Sequence, residues 1–452
     1  MEKRRNSCRR TVESGARPKG RPGDQRKGER DDLNIVEKVL SSHSSDSSRK
    51  VEPGDIVTVS VDRVILLDIA GQHPELIQNP PARVFDPSQI SVVFDHFVPA
   101  PNVEMANGTA KIRKLVKRLN LNDFYDYGSG GIAHAFAAES GWFYPGQIVA
   151  NTDSHSVAAG AFNMLSRGLG TPELMQVMCT GKTWFAVGET LKVDLSGKLS
   201  GMSEAKDVFL KMAGDLGDMP NMNIEFAGDG VMALNMDQRT VISTMCAELS
   251  VEFAVFPGDE VLRSYVQERG VQEYSPVSPD PSASYAGAYQ LDMSEVVPMA
   301  ALPDSVAGNT RPVDDIQGIK VDQCTIGSCA NGKLSDLEVA ARILKGRKVH
   351  PGTRLIVTPA TQSIYLRGME LGYIPTIVKA GGIVTNPTCG SCMGGHMGLL
   401  ADGETAITST TRNFKGRMGS RDARIYMASS ATVAASAVAG EIVSPSSIPG
   451  GS

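Results

Sequence analysis

Short apolar runs alternate with helical periodicity over most of the chain from Ile56 onward. Ile56 to Val59, Val64 to Leu67 and Ile90 to Phe94 are rich in β-branched residues and predict strands. Between Lys111 and Leu119 the apolar residues Ile112, Leu115 and Leu119 recur at helical spacing and predict an amphipathic helix. Pro145-Gly146 marks a turn before a further strand at Gln147 to Ala150. Gly and Ala are dense between 156 and 168, which leaves room for one backbone to approach another. The alternation is cleanest in the last third. Leu334, Leu337, Ala341 and Leu344 share a helical face ending near Gly346. Leu355 to Val357 then predicts a strand, Gln362 to Leu371 a helix, and Ile383-Val384 a short strand. Repeated βα units predict an α/β fold with parallel sheets covered by helices. Reacting side chains are expected in the loops at the carboxyl ends of those strands.

The N-terminus breaks the pattern. Met1 to Asp32 is mostly Arg, Lys, Gly and Ser, and a second polar stretch runs from Ser41 to Lys50. Residues 1–50 are therefore expected to be a disordered or polar tail. The tail lacks the apolar stretch of a secretory signal, and Glu2, Glu13, Asp24 and Glu29 dilute the pattern of an organelle transit peptide. At 452 residues and 41% hydrophobic, the chain is long enough to bury several cores. A net charge of −5 argues against nucleic-acid binding, and no apolar run of about 18 residues predicts a membrane span. The seven cysteines (Cys8, Cys179, Cys246, Cys324, Cys329, Cys389 and Cys392) are odd in number and irregularly spaced. That favours reduced thiols in a cytoplasmic compartment, or an organelle matrix if the tail is a transit peptide.

Three cysteines stand apart. Cys389 and Cys392 form a C-x2-C pair in Asn386-Pro387-Thr388-Cys389-Gly390-Ser391-Cys392, and Cys329 lies in Gly327-Ser328-Cys329-Ala330-Asn331. The pair alone fits zinc, or two buried thiols, equally well. Three thiolates are one short of a closed tetrahedral zinc site, whereas an iron–sulfur cube on three thiolates leaves one iron open as a Lewis acid. The small residues around all three leave space for a bulky group. Cys179, Cys246 and Cys324 lie in apolar or helical surroundings and are expected to be structural.

Three histidine motifs occupy the N-terminal third: Asp95-His96, Gly131-Ile132-Ala133-His134 and Asp153-Ser154-His155. Two of them carry an Asp within two residues, an arrangement that fixes an imidazole tautomer and tunes a proton donor. Arg412 and Arg417 flank Asn413-Phe414-Lys415-Gly416; two such arginines can fork onto a carboxylate, or simply line a solvated loop.

Taken together, these motifs resemble the aconitase superfamily, in particular the 3-isopropylmalate dehydratase large subunits of its archaeal-type, homoaconitase-like branch. The likeness runs from about Leu33 to about Pro445 with the motifs in family order. It implies three α/β domains around a [4Fe–4S] cluster, near 51–188, 189–316 and 317–445, followed by a tail at 446–452. Cys329, Cys389 and Cys392 would hold the cluster. Asp95, His96, His134, Asp153, Ser154, His155 and Glu248 would serve the chemistry, and Arg412 and Arg417 the substrate carboxylates. The implied activity is a hydro-lyase that isomerises a hydroxy di- or tricarboxylate by dehydration and rehydration, with 3-isopropylmalate in leucine biosynthesis the first choice. Homoaconitate or another malate-type acid is the alternative, and a cluster-sensing or RNA-binding relative a third. The family's swivelling domain is not present in the sequence, so a separate small subunit is the expected partner. The likeness departs at Thr244 and Thr411, where the family usually has Asn, and at Leu67, where it usually has a polar residue. Such changes are expected of a shifted substrate or a decaying activity.

Overall fold

The computed structural model describes residues 32–46 and 50–448. The expected tails at 1–31 and 449–452 lie outside the described residues. Within 32–46 the expectation of a polar tail is corrected, because Ile35–His43 is a helix. Its apolar face, Ile35, Val36, Val39 and Leu40, is buried, and Asn34 and Glu37 close a reciprocal cap at its start. Nine residues between two polar stretches carry a complete amphipathic face, and tertiary burial is what stabilises so short a helix.

Three sheets organise the rest. The first holds five parallel strands in the order Asp123–Tyr125, Ile90–Val93, Arg63–Leu67, Ile148–Asn151 and Leu165–Gly168. The second holds four parallel strands, Phe253–Val255, Asn223–Ala227, Thr190–Ser196 and Gly287–Asp292. The third has seven, in the order Thr310–Pro312, Met299–Ala301, Arg424–Ala428, Thr405–Thr408, Gln323–Gly327, Arg354–Thr358 and Ile383–Val384. Met299–Ala301 runs antiparallel to both its neighbours, and the remaining pairs are parallel. The third sheet therefore recruits residues 299–312, upstream of the boundary expected at 316.

The strand at Ile56–Ser60 does not join these sheets. It pairs antiparallel with Lys182–Ala186 in a two-stranded ribbon, and both strands alternate exposed and buried residues. The physical reason is visible in their composition. Ile56, Thr58 and Ser60 alternate with Val57 and Val59, as a half-buried strand requires, whereas Val64, Ile65, Leu66 and Leu67 form the unbroken apolar run of a strand covered on both faces. Among the described residues no helix is long and apolar enough to cross a membrane.

The fold delivers the candidate residues to one place. Asp68 follows Arg63–Leu67, Asp95 and His96 follow Ile90–Val93, and Asp153 to His155 follow Ile148–Asn151. From the third sheet, Cys329 follows Gln323–Gly327, the C-x2-C turn follows Ile383–Val384, and Thr411 and Arg412 follow Thr405–Thr408. All are carboxyl ends of parallel strands. The two sheets meet there. Cys389 N–H and the Thr388 hydroxyl both donate to the Asp95 carbonyl, at 2.8 and 2.9 Å, and Asn386 Nδ2 donates to the Val98 carbonyl at 2.7 Å. Glu248 arrives on the short turn that follows the helix Met236–Met245, between strands of the second sheet.

Candidate active site

The first wall is built on Asp68, a residue the motif reading had not placed in the site. Its buried carboxylate accepts from three consecutive backbone amides, Asp95 at 3.2 Å, His96 at 3.0 Å and Phe97 at 2.7 Å. Burial, together with the Asp95 charge, pushes Asp68 up to about 6. The signal was available: an acid directly after an unbroken apolar strand has no reason to be there except the loop ends it satisfies. Replacing Asp68 with Asn keeps one acceptor but turns an NH2 group toward a backbone N–H. The expected loss is about 1–3 kcal/mol of unfolding free energy, measured by chemical denaturation of the cluster-free chain. Equal stability of the two proteins would refute this role.

The loop so held carries a carboxylate–imidazole pair. Asp95 Oδ1 lies 2.6 Å from His96 Nδ1, and Asp95 Oδ2 accepts from Ala133 N–H at 2.9 Å, at the start of the helix that carries His134. His96 Nε2 then points to Asp153, 3.5 Å from Oδ2. Asp153 is the hub. Its Oδ1 lies 3.1 Å from His134 Nε2 and 3.5 Å from His155 Nδ1, and accepts the His155 backbone N–H at 2.6 Å. Burial opposes charge on Asp153, but the His134 and His155 imidazoles outweigh it and hold the carboxyl well below its usual range. Close backbone approach seats this loop, because a Cβ on Gly168 would stand 2.3 Å from the Asp153 carbonyl. Ser154, between the two, is exposed.

His155 passes the network to the segment that carries Glu248. Its Nε2 lies 3.2 Å from Glu248 Oε1, which also accepts from Arg412 Nε at 2.7 Å. Burial resists ionisation of Glu248, and the His155 and Arg412 partners together lower it below the ordinary glutamate value. Arg417 takes a different position. Its guanidinium lies over the Phe414 ring, and its buried Nε has no hydrogen-bond partner. The two arginines thus share a segment without converging on one protein carboxylate.

The three thiols meet beside this network. Cys329 and Cys392 are buried, Cys389 is half-buried, and none is in a disulfide. Gly327 leaves its strand at φ 148° and Ser328 at 72°, a path that presents Cys329; a Cβ on Gly327 would stand 2.5 Å from the Thr358 carbonyl. Burial drives the Cys329 thiol well above its usual value, helped by the charges of Asp153, Cys392 and Cys389. Cys389 is pushed up to about 12, chiefly by burial. Cys392 goes the other way, to about 7, because Arg417 and Thr411 overcome its burial. Asp95, His96 and Cys389 bring ligand atoms within 4.8 Å of one another. A buried Cys329 whose ionisation is opposed by the charges of Cys389 and Cys392 calls for a positive group beside it. Ser328 Oγ and Arg417 Nε are buried there or close by without hydrogen-bond partners. The donor set therefore fits a metal–sulfide group bound by three thiolates.

Cys246 and Cys324 are buried in the core as expected, whereas Cys179 is exposed. Of the three departures, only Thr411 is seen to touch a thiol, its hydroxyl lying 3.4 Å from Cys392 Sγ. Thr244 instead donates to the Thr240 carbonyl one turn back in its own helix, and Leu67 packs in the core with Ile65, Val93 and Val149.

Comparison with known proteins gives a consistent picture. The model of the aconitase family (aconitate hydratase) matches residues 37–314 and 304–440. The chain is 45% identical over 410 residues to the 3-isopropylmalate dehydratase large subunit of Mycolicibacterium smegmatis, covering 91% of this chain and 96% of that protein. It is 40% identical over 420 residues to the protein of the same description from Caldanaerobacter subterraneus, covering 92% and 99%. With 3-isopropylmalate dehydratase large subunit 1 of Methanopyrus kandleri the identity is 40% over 415 residues, covering 91% and 98%. Among solved structures, aconitase X of Thermococcus kodakaraensis aligns with a TM-score of 0.47 at 11% identity, covering 81% of this chain and 88% of that one.

Proposed function

The chain belongs to the aconitase family, and on that premise we propose that it is the large subunit of a two-subunit hydro-lyase acting on 3-isopropylmalate in leucine biosynthesis. The observation that carries this reading is the single carboxylate of Asp153, set among His96, His134 and His155 beside three unpaired thiols. Cys329, Cys389 and Cys392 would hold a [4Fe–4S] cluster, which when bound supplies a Lewis-acidic iron for a substrate oxygen.

The protein's own residues then divide the work. Asp95 orients His96 through Nδ1 and favours its imidazolium form, whose Nε2–H is the proton available to a departing hydroxide, leaving neutral imidazole behind. Asp153 keeps the three imidazoles in register and, being ionised, favours the protonated form of His155. Glu248 orients His155 and restrains Arg412 at the edge of the site, where the remaining guanidinium nitrogens are positioned for a substrate carboxylate. Arg417, beside Cys392, serves the same end of the substrate. Ser154, exposed next to Asp153, is available to the reacting molecule. The carbon-bound proton is left to a residue of the small subunit, the partner implied by relatives described as large subunits. Labile iron and free thiols suit a reducing compartment, and we place the enzyme in the cytoplasm.

The test is anaerobic reconstitution with iron and sulfide, with and without a small subunit of about 150 residues. Turnover of 3-isopropylmalate is expected only when both are present. Full turnover by this chain alone would overturn the two-subunit reading, and a sulfide-free, stoichiometric zinc protein would overturn the hydro-lyase reading.

A related malate-type acid is the second reading, favoured by Thr411 at the Cys392 sulfur. A threonine hydroxyl reaches the sulfur but lacks the second polar arm of an amide. Thr411→Asn is expected to change the rate on 3-isopropylmalate, relative to other malate-type acids, by about tenfold to a hundredfold, the worth of one charge-assisted hydrogen bond. Thr244→Asn should act independently, since the Thr244 hydroxyl is engaged within its helix. Steady-state kinetics of both singles and the double checks this, and unchanged kinetics on every acid would make the threonines neutral.

A further inference from the structure

Lys206 is fully buried, near the start of the helix Ala205–Leu216 in the second domain. A buried ammonium is costly unless its hydrogen bonds are met. Here Nζ donates to two consecutive carbonyls, Ser409 at 2.5 Å and Thr410 at 2.8 Å. In an extended strand consecutive carbonyls point to opposite sides, so one cation holding both defines a turn. That turn leaves the strand Thr405–Thr408 and leads directly into Thr411 and Arg412.

The surroundings of Lys206 are equally well anchored. Glu204 accepts from the Ala431 N–H at 2.8 Å, and Asp207 from the Met299 N–H at 2.9 Å, both across to the third domain. On the far side of the turn, the Ser409 hydroxyl accepts from the Gly327 N–H at 3.2 Å, in the loop that presents Cys329. Burial pushes the Lys206 ammonium down to about 8, against the attraction of Asp336 and the thiols of Cys392 and Cys329. Its two carbonyl acceptors suit the protonated form. Nothing in the helical pattern separates this lysine from a solvated one; only the third domain's carbonyls do.

We propose that Lys206 is a positioning residue for the carboxylate-binding end of the site: its ammonium sets the Ser409–Thr410 turn so that Thr411 meets Cys392 and Arg412 stays on Glu248. The assignment rests on the hydro-lyase reading for its kinetic arm and on the fold alone for its structural arm. It predicts an effect on substrate affinity rather than on the proton-transfer groups, because Asp95, His96 and Asp153 belong to a different sheet.

The experiment compares wild type, Lys206→Met and Lys206→Arg in the full chain. In the reconstituted complex, Lys206→Met is expected to raise KM for 3-isopropylmalate about tenfold to a hundredfold with kcat within a few-fold of wild type. Lys206→Arg keeps the charge but cannot place one nitrogen between both carbonyls, so it should recover part of the affinity. In the cluster-free chain without partner, hydrogen exchange of the amides at 409–413 should quicken in Lys206→Met while the sheet cores keep wild-type protection. Should Lys206→Met fail to fold, Lys206→Arg carries the test, with a raised KM and unchanged kcat expected. Wild-type kinetics, a loss confined to kcat, or unchanged exchange at 409–413 in a folded variant would each overturn the assignment. If wild type itself turns over no malate-type acid, the functional reading fails, and the exchange result still decides the role of Lys206.

Discussion

Changing Cys329, Cys389 or Cys392 to Ser is expected to leave a folded chain that takes up no intact cluster and shows no measurable turnover. The three thiols are gathered from two loops of one sheet; Cys329 and Cys389 carry an unfavourable ionisation balance that a bound metal group would relieve, while Arg417 and Thr411 already favour the Cys392 thiolate. A serine hydroxyl is a poor replacement for a thiolate on iron, because its proton is held far more tightly and its oxygen is harder. The loss should therefore be all-or-none at each of the three positions rather than graded. The control changes are Cys324→Ser, in the core, and Cys179→Ser, exposed on a helix. Both should retain the brown colour and the iron and sulfide content of wild type after anaerobic reconstitution, with Cys324→Ser somewhat less stable. Iron and sulfide analysis with absorbance spectra decides the matter. A wild-type cluster in any of the three serine variants, or its loss in Cys179→Ser, would reject the ligand set.

Asp153→Asn should cost about 10²- to 10⁴-fold in kcat, with far less change in KM. One carboxylate here faces three imidazoles and the backbone of His155. An amide of the same shape keeps the volume but removes the charge that favours protonated His155, and it presents an NH2 group to at least one ring. Proton delivery by a positioned side chain is commonly worth two to four powers of ten, and the change would disturb every candidate donor at once. Because Asp153 is held well below the usual carboxylate range, it stays ionised across the working pH interval of the wild type. The Asn variant should therefore move the alkaline limb of the pH–rate profile to lower pH, because a histidine that must be protonated to donate has lost the neighbouring charge that raised its pKa. Paired replacements supply the sharper check. Asp153→Asn combined with His134→Gln should lose little more than the worse single, as groups acting as one unit do. Additive losses would mean that the hub is structural only.

Asp68 shows how a position with plain physical meaning escapes a motif search. It is a single acid without a patterned neighbour, and its importance lies in three amides that are 27 to 29 residues away in sequence. The helix Ile35–His43 escaped for a different reason: its flanks are polar, and a nine-residue amphipathic face is easily averaged into them. Thr244 and Thr411 looked equivalent as departures from the family, yet their hydroxyls go to different places. Side-chain direction follows from the packing around each residue, which a family pattern does not carry.

By itself, the order of residues determined the α/β class, the strands Arg63–Leu67, Ile90–Val93 and Ile148–Asn151 of the first sheet and Arg354–Thr358 and Ile383–Val384 of the third, and the location of the candidate groups in loops after strands. Local periodicity and turn chemistry suffice for these, since they act over a few residues. Only tertiary structure decided which loops meet. The carboxyl ends of the first and third sheets are joined through the Asp95 carbonyl, the ribbon Ile56–Ser60 is set apart, and residues 299–312 are lent to the last sheet. It alone turned Asp153 into the partner of three histidines drawn from separate segments, and placed a buried lysine of the helix Ala205–Leu216 on the carbonyls that follow the strand Thr405–Thr408. These contacts are set by burial. Once charged and polar groups leave water they must find partners at whatever sequence distance the packing allows, and the spacing of residues along the chain holds no record of that distance.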